Sequence, residues 1–327
     1  MTPRKKTMLL IITIMVLIIG YAIYYLTSVY NGLQSLNKTT SDSSFKAETV
    51  VDPPKWEGSE PVNILLMGVD SRGYDKGEVP RSDTMMVVSL DPVKRRINLF
   101  SILRDTYTDI PSQGKGRINT AIIHGPNTAM KAVEDLMGIP IQYYVYTDFQ
   151  GFIKLVDAVG GVDFYVEKDM YYPSTADNHE YDIDLKKGEQ HLNGKTALQY
   201  VRFRHDATSD FTRTERQRAF LKAVAEKLQS TTSIIKLPSI LEDVSPYIDT
   251  NLSVDDMWKL ASVAYQSKMV ESEQIPPMEL LEGTKIGGAS VLTISDEGAL
   301  KNHIKDIFNK PVSVSKDDKE GSGTKKQ

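Results

Sequence analysis

The stretch "VNILLMGVDSRGYDKGEVPRSDTMMVVSLDPVKRRINLFSILRD", residues 62–105, decides the fold because it contains three apolar, β-rich runs. These runs predict strands over 62–69, 84–90 and 96–103. The connection between the second and third strands, residues 91–95, is short and contains a proline turn signal. We therefore expect those two strands to form a hairpin.

The rest of the chain alternates helical and strand patterns. Helices are predicted over 126–137, 148–159, 194–201, 212–230, 253–266 and 296–307, with further strands over 161–167 and 290–294. This mixture predicts one α/β domain over 61–310, with a mixed central sheet and helices on its faces.

The overall composition excludes several kinds of site. The chain has 327 residues, a formal charge of -4 and no cysteine. It therefore contains no disulfide, no thiolate metal site and no cysteine nucleophile. Because there is no global excess of basic residues, nucleic-acid binding is not predicted.

One segment predicts a membrane anchor. Met8–Leu26 is uncharged, and as a helix it would be about 29 Å long, close to the thickness of the hydrocarbon core of a bilayer. Arg4, Lys5 and Lys6 precede it, which places the N-terminus in the cytoplasm. The alternative is a cleaved signal peptide, but the apolar run is longer than a usual signal core and no A-x-A site follows.

The predicted organisation is thus a single-pass type II protein of the cell membrane. Its parts are a cytoplasmic tip (1–7), a transmembrane signal anchor (8–26), an extracellular spacer (27–60), the domain (61–310) and a disordered tail (311–327).

Charged residues flank the first three strands. Asp70 follows the first strand, Asp83 precedes the second, and Arg104 and Asp105 follow the third. If the strands run up, down and up, all four residues reach one sheet edge, where α/β proteins bind ligands. Two carboxylates there suit a hard cation such as Mg²⁺. The alternative is that both aspartates are turn and capping residues.

The helix predicted over 212–230 has an unusual apolar stripe. Phe220, Val224 and Leu228 form the stripe, and on a helical wheel Arg213 and Gln217 continue it. A core-facing arginine needs an anionic partner, because an unpaired buried charge is costly. That partner is either a protein carboxylate, with Asp210 and Glu215 nearby in sequence, or a bound anion. The wheel places Arg218 in solvent.

Two further arginines precede this helix. If "VRFR" (201–204) is extended, Arg202 and Arg204 point to the same side. Carboxylates for a metal together with several arginines are typical of a phosphoryl or pyrophosphate site. The alternative is a salt-bridge network that joins helices.

Several blocks in this order resemble the LytR–CpsA–Psr family of cell-wall enzymes. They are "NILLMGVDSRG", "RSDTMMVVSLDP", "LRDTYTDIP", "GFIKLVDAVGGVDFYV", "KKGEQHLNGKTALQYVRFR" and "DFTRTERQR". The resemblance implies a three-layer αβα fold with a hydrophobic pocket for a polyprenyl chain. It also implies an extracellular phosphotransferase of a Gram-positive bacterium. The donor would be an anionic glycopolymer, typically wall teichoic acid, on undecaprenyl pyrophosphate, and the acceptor a muramic acid hydroxyl of peptidoglycan.

The resemblance also assigns roles to residues. It implies Mg²⁺, or alternatively Mn²⁺, on Asp70 and Asp83, and catalytic roles for Asp83, Arg104, Asp105 and Arg213. It implies a pyrophosphate site of Arg81, Arg104, Arg202, Arg204, Arg213 and Gln217. Asp105 either supports Arg104 or acts as a base. The chain departs from the family at Leu103, where proline is common, and at Thr108, where some members have arginine. Alternative functions are a polyprenyl-pyrophosphate phosphatase and a non-enzymatic regulator or scaffold of the cell envelope.

Overall fold

The computed structural model describes residues 3–36, 43, 45, 53, 55–75, 78–173, 179–204 and 210–310. The strands are β1 Val62–Val69, β2 Ser82–Asp91, β3 Arg96–Ile102, β4 Tyr107–Ile110, β5 Gly114–Arg117, β6 Tyr143–Asp148, β7 Val162–Val166, β8 Met170–Tyr172, β9 Ile183–Leu185, β10 Gly188–Leu192, β11 Ile248–Thr250, β12 Lys268–Ile275, β13 Leu281–Ile286 and β14 Ala289–Ile294. The α-helices are α1 Pro3–Leu36, α2 Pro126–Met137, α3 Phe149–Ala158, α4 Gly194–Arg202, α5 Asp210–Leu228, α6 Thr231–Ile235, α7 Leu237–Val244, α8 Val254–Tyr265 and α9 Glu297–Asn309.

The central sheet is mixed and has the strand order β11-β6-β1-β2-β3-β12. β1 pairs antiparallel with β2, and β2 pairs antiparallel with β3, which confirms the predicted hairpin. β6 is parallel to β1, and β12 is parallel to β3. β2 begins at Ser82, earlier than predicted, because a bulge at Gly68 and Val69 lets Val69 pair with Ser82. Asp83 therefore lies inside the strand instead of before it.

The core forms on both faces of the sheet, because alternate residues of a strand point to opposite faces. Leu65 and Met67 of β1 pack in one cluster with residues of α2 and α9, such as Val133 and Ile304. Ile64 faces the other side. Each fully buried aliphatic side chain contributes about 1.5–3 kcal/mol. Helices on both faces of a mixed sheet confirm the predicted three-layer α/β fold.

Helix α1 has two parts that differ in their surroundings. Residues 4–24 are exposed throughout, and the helix is long and apolar enough to cross a membrane. Its last part packs on the domain, where Val29 and Leu36 are buried in one cluster with Leu241. Residues 27–36, predicted as spacer, thus continue the helix, because Tyr25, Val29 and Leu36 recur at helical spacing on the face that meets α7. Much of the rest of the predicted spacer, and all of the predicted disordered tail (311–327), lie outside the described residues.

The segment "VRFR" is not extended as a whole. α4 begins with Asn193, whose side chain accepts a hydrogen bond from the Thr196 amide, and it continues through Val201 and Arg202. The condition of an extended "VRFR" is therefore not met at Val201 and Arg202, whereas the helix predicted over 194–201 is present and one residue longer, because the buried positions Ala197, Leu198 and Val201 keep the helical period. The helix ends at Arg202, and Phe203 caps it in an extended conformation. Of the four residues of this segment, Phe203 and Arg204 therefore lie after the helix.

Candidate active site

A cavity of about 590 Å³ lies between one face of β1, β2 and β6 and helices α3, α4 and α5. Its apolar lining includes Leu66, Met86, Val145, Phe152, Leu155, Leu198 and Leu221. Its polar lining includes Asp70, Arg72, Asp83, Arg202, Arg204, Arg213 and Gln217. These polar residues lie where β1 ends, β2 begins, α4 ends and α5 begins, so the cavity is charged at one end and apolar at the other.

The strand pattern explains why one wall is apolar and ends in carboxylates. Leu66, Gly68 and Asp70 alternate along β1 and its end, so they share one face of the sheet. Leu66 pairs with Met86, and Gly68 pairs with Thr84. A side chain on Gly68 would lie within 3.3 Å of the Thr84 Cβ, so glycine keeps this part of the wall open.

Asp83 is held by arginines from three elements. Arg104 Nη1 donates to Asp83 Oδ1 at 2.5 Å, and Arg213 Nη2 donates to the Asp83 backbone oxygen at 3.2 Å. Arg204 Nη2 lies 3.9 Å from Asp83 Oδ1. Burial alone would lower the pKa of Arg104, but the Asp210 and Asp83 carboxylates raise it above its ordinary value. The predicted convergence of Asp83, Arg104, Arg204 and Arg213 is therefore present.

Asp210 completes this cluster, and it is one of the two carboxylates that the sequence offered as a partner for the core-facing Arg213. Its carboxylate lies 3.0 Å from Arg213 Nη2, 3.6 Å from Arg104 Nε and 3.6 Å from Arg204 Nε. Burial raises the pKa of Asp210, although Arg104 and Arg204 act in the opposite direction. The only sequence signal for it was its place three residues before a core-facing arginine.

The cluster retains unused hydrogen-bonding capacity. Within the described part of the chain, the Nε atoms of Arg104 and Arg213 and the Oδ2 atom of Asp210 are buried without a hydrogen-bond partner, with Asp210 Oδ2 3.6 Å from Arg104 Nε. Burial, followed by repulsion from Arg104, lowers the pKa of Arg204. Buried N–H groups without partners are costly, and an anion with several oxygens, such as a pyrophosphate, would supply the missing acceptors.

Asp70 and Arg202 are joined through Arg72 and two aromatic rings. Arg72 donates to both Asp70 oxygens, at 2.7 Å from Nε and 2.5 Å from Nη2. Burial alone would raise the pKa of Asp70, but the Arg72 guanidinium lowers it. Arg72 lies 4.7 Å from the ring centre of Tyr181, and Arg202 lies 4.9 Å from that of Phe149. Arg72 thus connects the carboxylate to the aromatic side of the cavity.

Arg213 and Gln217 face the core, as the helical wheel predicted. They are 3% and 9% exposed, and both line the cavity. Gln217 Nε2 donates to the Val201 carbonyl at 3.3 Å, which fixes α5 against the end of α4.

The other arginines of this segment have structural contacts. Arg216 Nε donates to Glu167 Oε1 at 2.6 Å and its Nη1 donates to the Phe203 carbonyl at 3.2 Å. Arg218 is not solvated as predicted; it is half-buried and its Nη1 donates to the Ser101 hydroxyl. The wheel was wrong for Arg218 because α5 also packs across β3 and β12, on a side that the apolar stripe does not mark.

Three predicted site residues, Arg81, Arg104 and Asp105, are not part of the cavity lining, although Arg104 contacts the lining residue Asp83. Arg81 is exposed. Asp105 accepts from Arg117 Nη1 at 3.2 Å and lies 3.8 Å from Arg104 Nε. This contact favours support of Arg104 over direct action as a base.

Comparisons with known proteins agree with this fold. The LytR_cpsA_psr family profile matches residues 23–306. The teichoic acid transferase TagU of Bacillus mycoides (strain KBAB4) is 37% identical over 281 residues, which cover 83% of this chain and 87% of TagU. The crystal structure of gbs0355 from Streptococcus agalactiae has a TM-score of 0.68 at 28% identity, over 79% of this chain and 91% of that one. The structure described as TagT bound to LI-WTA has a TM-score of 0.64 at 26% identity, over 84% of this chain and 98% of TagT.

The arginine-lined cavity, together with the similarity to a relative named as a teichoic acid transferase, defines this chain as a transferase of the cell-wall class. The chain belongs to the LytR_cpsA_psr family. The resemblance, the fold class and the transferase activity predicted from the sequence are thereby confirmed.

Proposed function

We propose that this chain transfers an anionic glycopolymer of the teichoic acid type from undecaprenyl pyrophosphate to a muramic acid hydroxyl of peptidoglycan. The observation that carries this proposal is the cavity with one apolar end and one end of clustered arginines. Such a cavity suits an amphiphile with an apolar chain and a pyrophosphate group. TagU is named for teichoic acid transfer to peptidoglycan, and TagT is described as bound to LI-WTA, which favours this class of donor.

In the proposed reaction the arginines hold the pyrophosphate and stabilise the charge that develops on it. Arg104, Arg204 and Arg213 bind its oxygens, Arg202 extends the site, and Gln217 holds the end of α4 in place. The acceptor hydroxyl oxygen forms a bond to the sugar-side phosphorus as its proton passes to water. The bond from that phosphorus to the bridging oxygen breaks, and undecaprenyl phosphate leaves with the electron pair.

A Mg²⁺ ion, or alternatively Mn²⁺, fits this site only together with substrate. Asp70 and Asp83 line the same cavity, and among the described residues no three His, Asp or Glu side chains group as metal ligands. Mg²⁺ accepts two carboxylates when water and phosphate oxygens complete its shell. When bound, the ion would neutralise pyrophosphate charge. Arg72, which occupies both Asp70 oxygens, would have to release at least one of them.

The location proposed for this reaction is the outer face of the cell membrane. The exposed apolar part of α1 would be a single transmembrane anchor, and the three basic residues before it would remain in the cytoplasm. The domain would then face the peptidoglycan.

The test is transfer of a defined polyprenyl-pyrophosphate-linked polymer to peptidoglycan oligomers by the purified full-length chain in detergent with Mg²⁺. Mass spectrometry should show polymer joined to the oligomer through a phosphodiester. Asp83→Ala should abolish this product, and Lys222→Ala, at an exposed position of α5, should not. Soluble polymer without the joined product would instead indicate a pyrophosphatase, and full activity of Asp83→Ala would reject the proposed site.

A further inference from the structure

Helix α6 of the domain contacts α1 where the apolar run of α1 ends. Tyr25 belongs to the last turn of Met8–Leu26, and its hydroxyl donates to the Ile234 carbonyl at 2.5 Å. This contact connects residues 209 positions apart in sequence. If Met8–Leu26 occupies the hydrocarbon core of a bilayer, Tyr25 lies at its outer boundary, where tyrosine is typical. The short helix α6 must then lie at that boundary as well.

The surface of α6 suits such a position. Ile235 is 59% exposed and Ile234 is 39% exposed. The three residues before them, 231–233, are threonine and serine. Between Glu226 and Glu242 the chain carries no carboxylate and two lysines, Lys227 and Lys236. Exposed isoleucines with neighbouring lysines and no acidic group match the interfacial region of an anionic bilayer.

The position of the docked helix is fixed by close packing. Gly32 of α1 lies against α7, where an added Cβ would be 2.7 Å from the Leu241 Cβ. Val29 and Leu36 are buried in the cluster that contains Leu241 and Val244. From Tyr25 to Leu36 the helix rises about 16 Å along the domain. A helix held over this length sets the height of α6 above the bilayer.

The same side of the domain carries the apolar wall of the cavity. Leu155 and Ile248 line the cavity and also pack with the cluster that receives α1.

We propose that Ile234 and Ile235 of α6 form a membrane-contact surface that inserts into the interface of the outer leaflet and holds the cavity next to the lipid. The partner is the phospholipid surface itself. This proposal rests on the anchorage proposed above and not on the transfer reaction.

Because the chain contains no cysteine, a single introduced cysteine can be labelled at one chosen position. Single variants of the full-length protein, each carrying one nitroxide label, are reconstituted in phosphatidylglycerol-containing vesicles. Ile235→Cys reports on α6, and Ile286→Cys, which is also exposed at the β13–β14 turn, is the matched control. Ile18→Cys, in the apolar run, reports whether α1 enters the bilayer. Electron paramagnetic resonance then compares collisions of each label with oxygen, which is enriched in lipid, and with a water-soluble nickel complex.

We expect the labels at 18 and 235 to collide several-fold more with oxygen than with the nickel complex, and the label at 286 to show the reverse. An aqueous result at 235 together with a lipid result at 18 would overturn the membrane-contact surface and leave the anchor intact. Aqueous results at both positions would overturn the surface and the anchor together. Neither result depends on transfer activity, so a failure here and a failure of the proposed reaction are distinguishable.

Discussion

Arg213 and Asp210 form an ion pair within one turn of α5, with Nη2 3.0 Å from Oδ1, and the same arginine donates to the backbone oxygen of Asp83. One buried guanidinium thus connects the beginning of α5 to the beginning of β2. Because Asp210 also lies 3.6 Å from Arg104 and from Arg204, it holds the three arginines together when no anion separates them. An anionic ligand that binds these arginines would therefore lie beside Asp210 or compete with it for them.

Asp210→Asn should increase the response of the protein to pyrophosphate. Inorganic pyrophosphate binds the folded state and should stabilise the variant more than the parent, because it no longer competes with a carboxylate. Thermal unfolding with and without pyrophosphate measures this effect. Equal stabilisation of the two proteins by pyrophosphate would contradict this role of Asp210.

Arg213→Ala and Arg218→Ala, on the same helix, should have opposite consequences. Arg213 lines the cavity, whereas Arg218 contacts Ser101 outside it. Loss of one preorganised charged donor typically lowers kcat by about 10²–10³. We expect a loss of that order for Arg213→Ala and near-parental transfer for Arg218→Ala, with reduced stability in the latter. Similar kcat values for both variants would show that the residues of α5 that face the cavity do not take part in the reaction.

The site was predicted best from residues whose polarity conflicts with the periodic pattern in which they lie. Arg213 and Gln217 could be found because they interrupt an apolar helical stripe, and their burial confirms that they face the core. Asp70 and Asp83 could be brought to one edge because three short strands had to run up, down and up. These are arguments from local period and chain direction, which the sequence contains.

The sequence was less informative where several elements meet. The sequence offered Asp210 only as a possible partner of Arg213, and its contacts with Arg104 and Arg204 become apparent only in the structure. Arg218 was misplaced because a helical wheel shows one buried side, and α5 packs on two. The docking of α1 was missed because Val29, Gly32 and Leu36 lie among polar residues, and their common face becomes apparent only against α7.

Glu167→Gln should destabilise the protein at neutral pH and lose this effect in acid. Burial alone would raise the pKa of Glu167, but its hydrogen bond from Arg216 lowers it below the ordinary value. A lowered folded-state pKa means that the pair stabilises the protein above the unfolded value of about 4.3 and that this contribution disappears as the pH falls through the folded value. Urea unfolding of both proteins at pH 7 and pH 3 should show a difference of about 1 kcal/mol or less that closes at the lower pH.

The ion pair of Arg216 with Glu167 should be dispensable for donor binding even though Arg216 is buried. The contacts of Arg216 include Glu167, the Phe203 carbonyl and the Phe203 ring, and it does not line the cavity. In the same Glu167→Gln variant, the KM for the lipid-linked donor at neutral pH should therefore remain near the parental value. A large rise in KM would indicate that this ion pair supports the arginine cluster directly.

Gly32→Ala tests whether the end of α1 is packed on the domain. In an exposed helix, replacement of glycine by alanine stabilises by about 1 kcal/mol. At Gly32 the new methyl group would lie 2.7 Å from the Leu241 Cβ, so the helices must move apart, and overpacking of this kind costs about 1–3 kcal/mol. The matched control is Gly20→Ala in the same helix, where nothing lies within 4 Å of the added methyl group. We expect Gly32→Ala to lower the unfolding temperature of the full-length protein in detergent and Gly20→Ala to leave it unchanged or raise it. If both variants were equally stable, α1 would not be docked on α7, and the height of α6 above the bilayer would no longer be fixed by this contact.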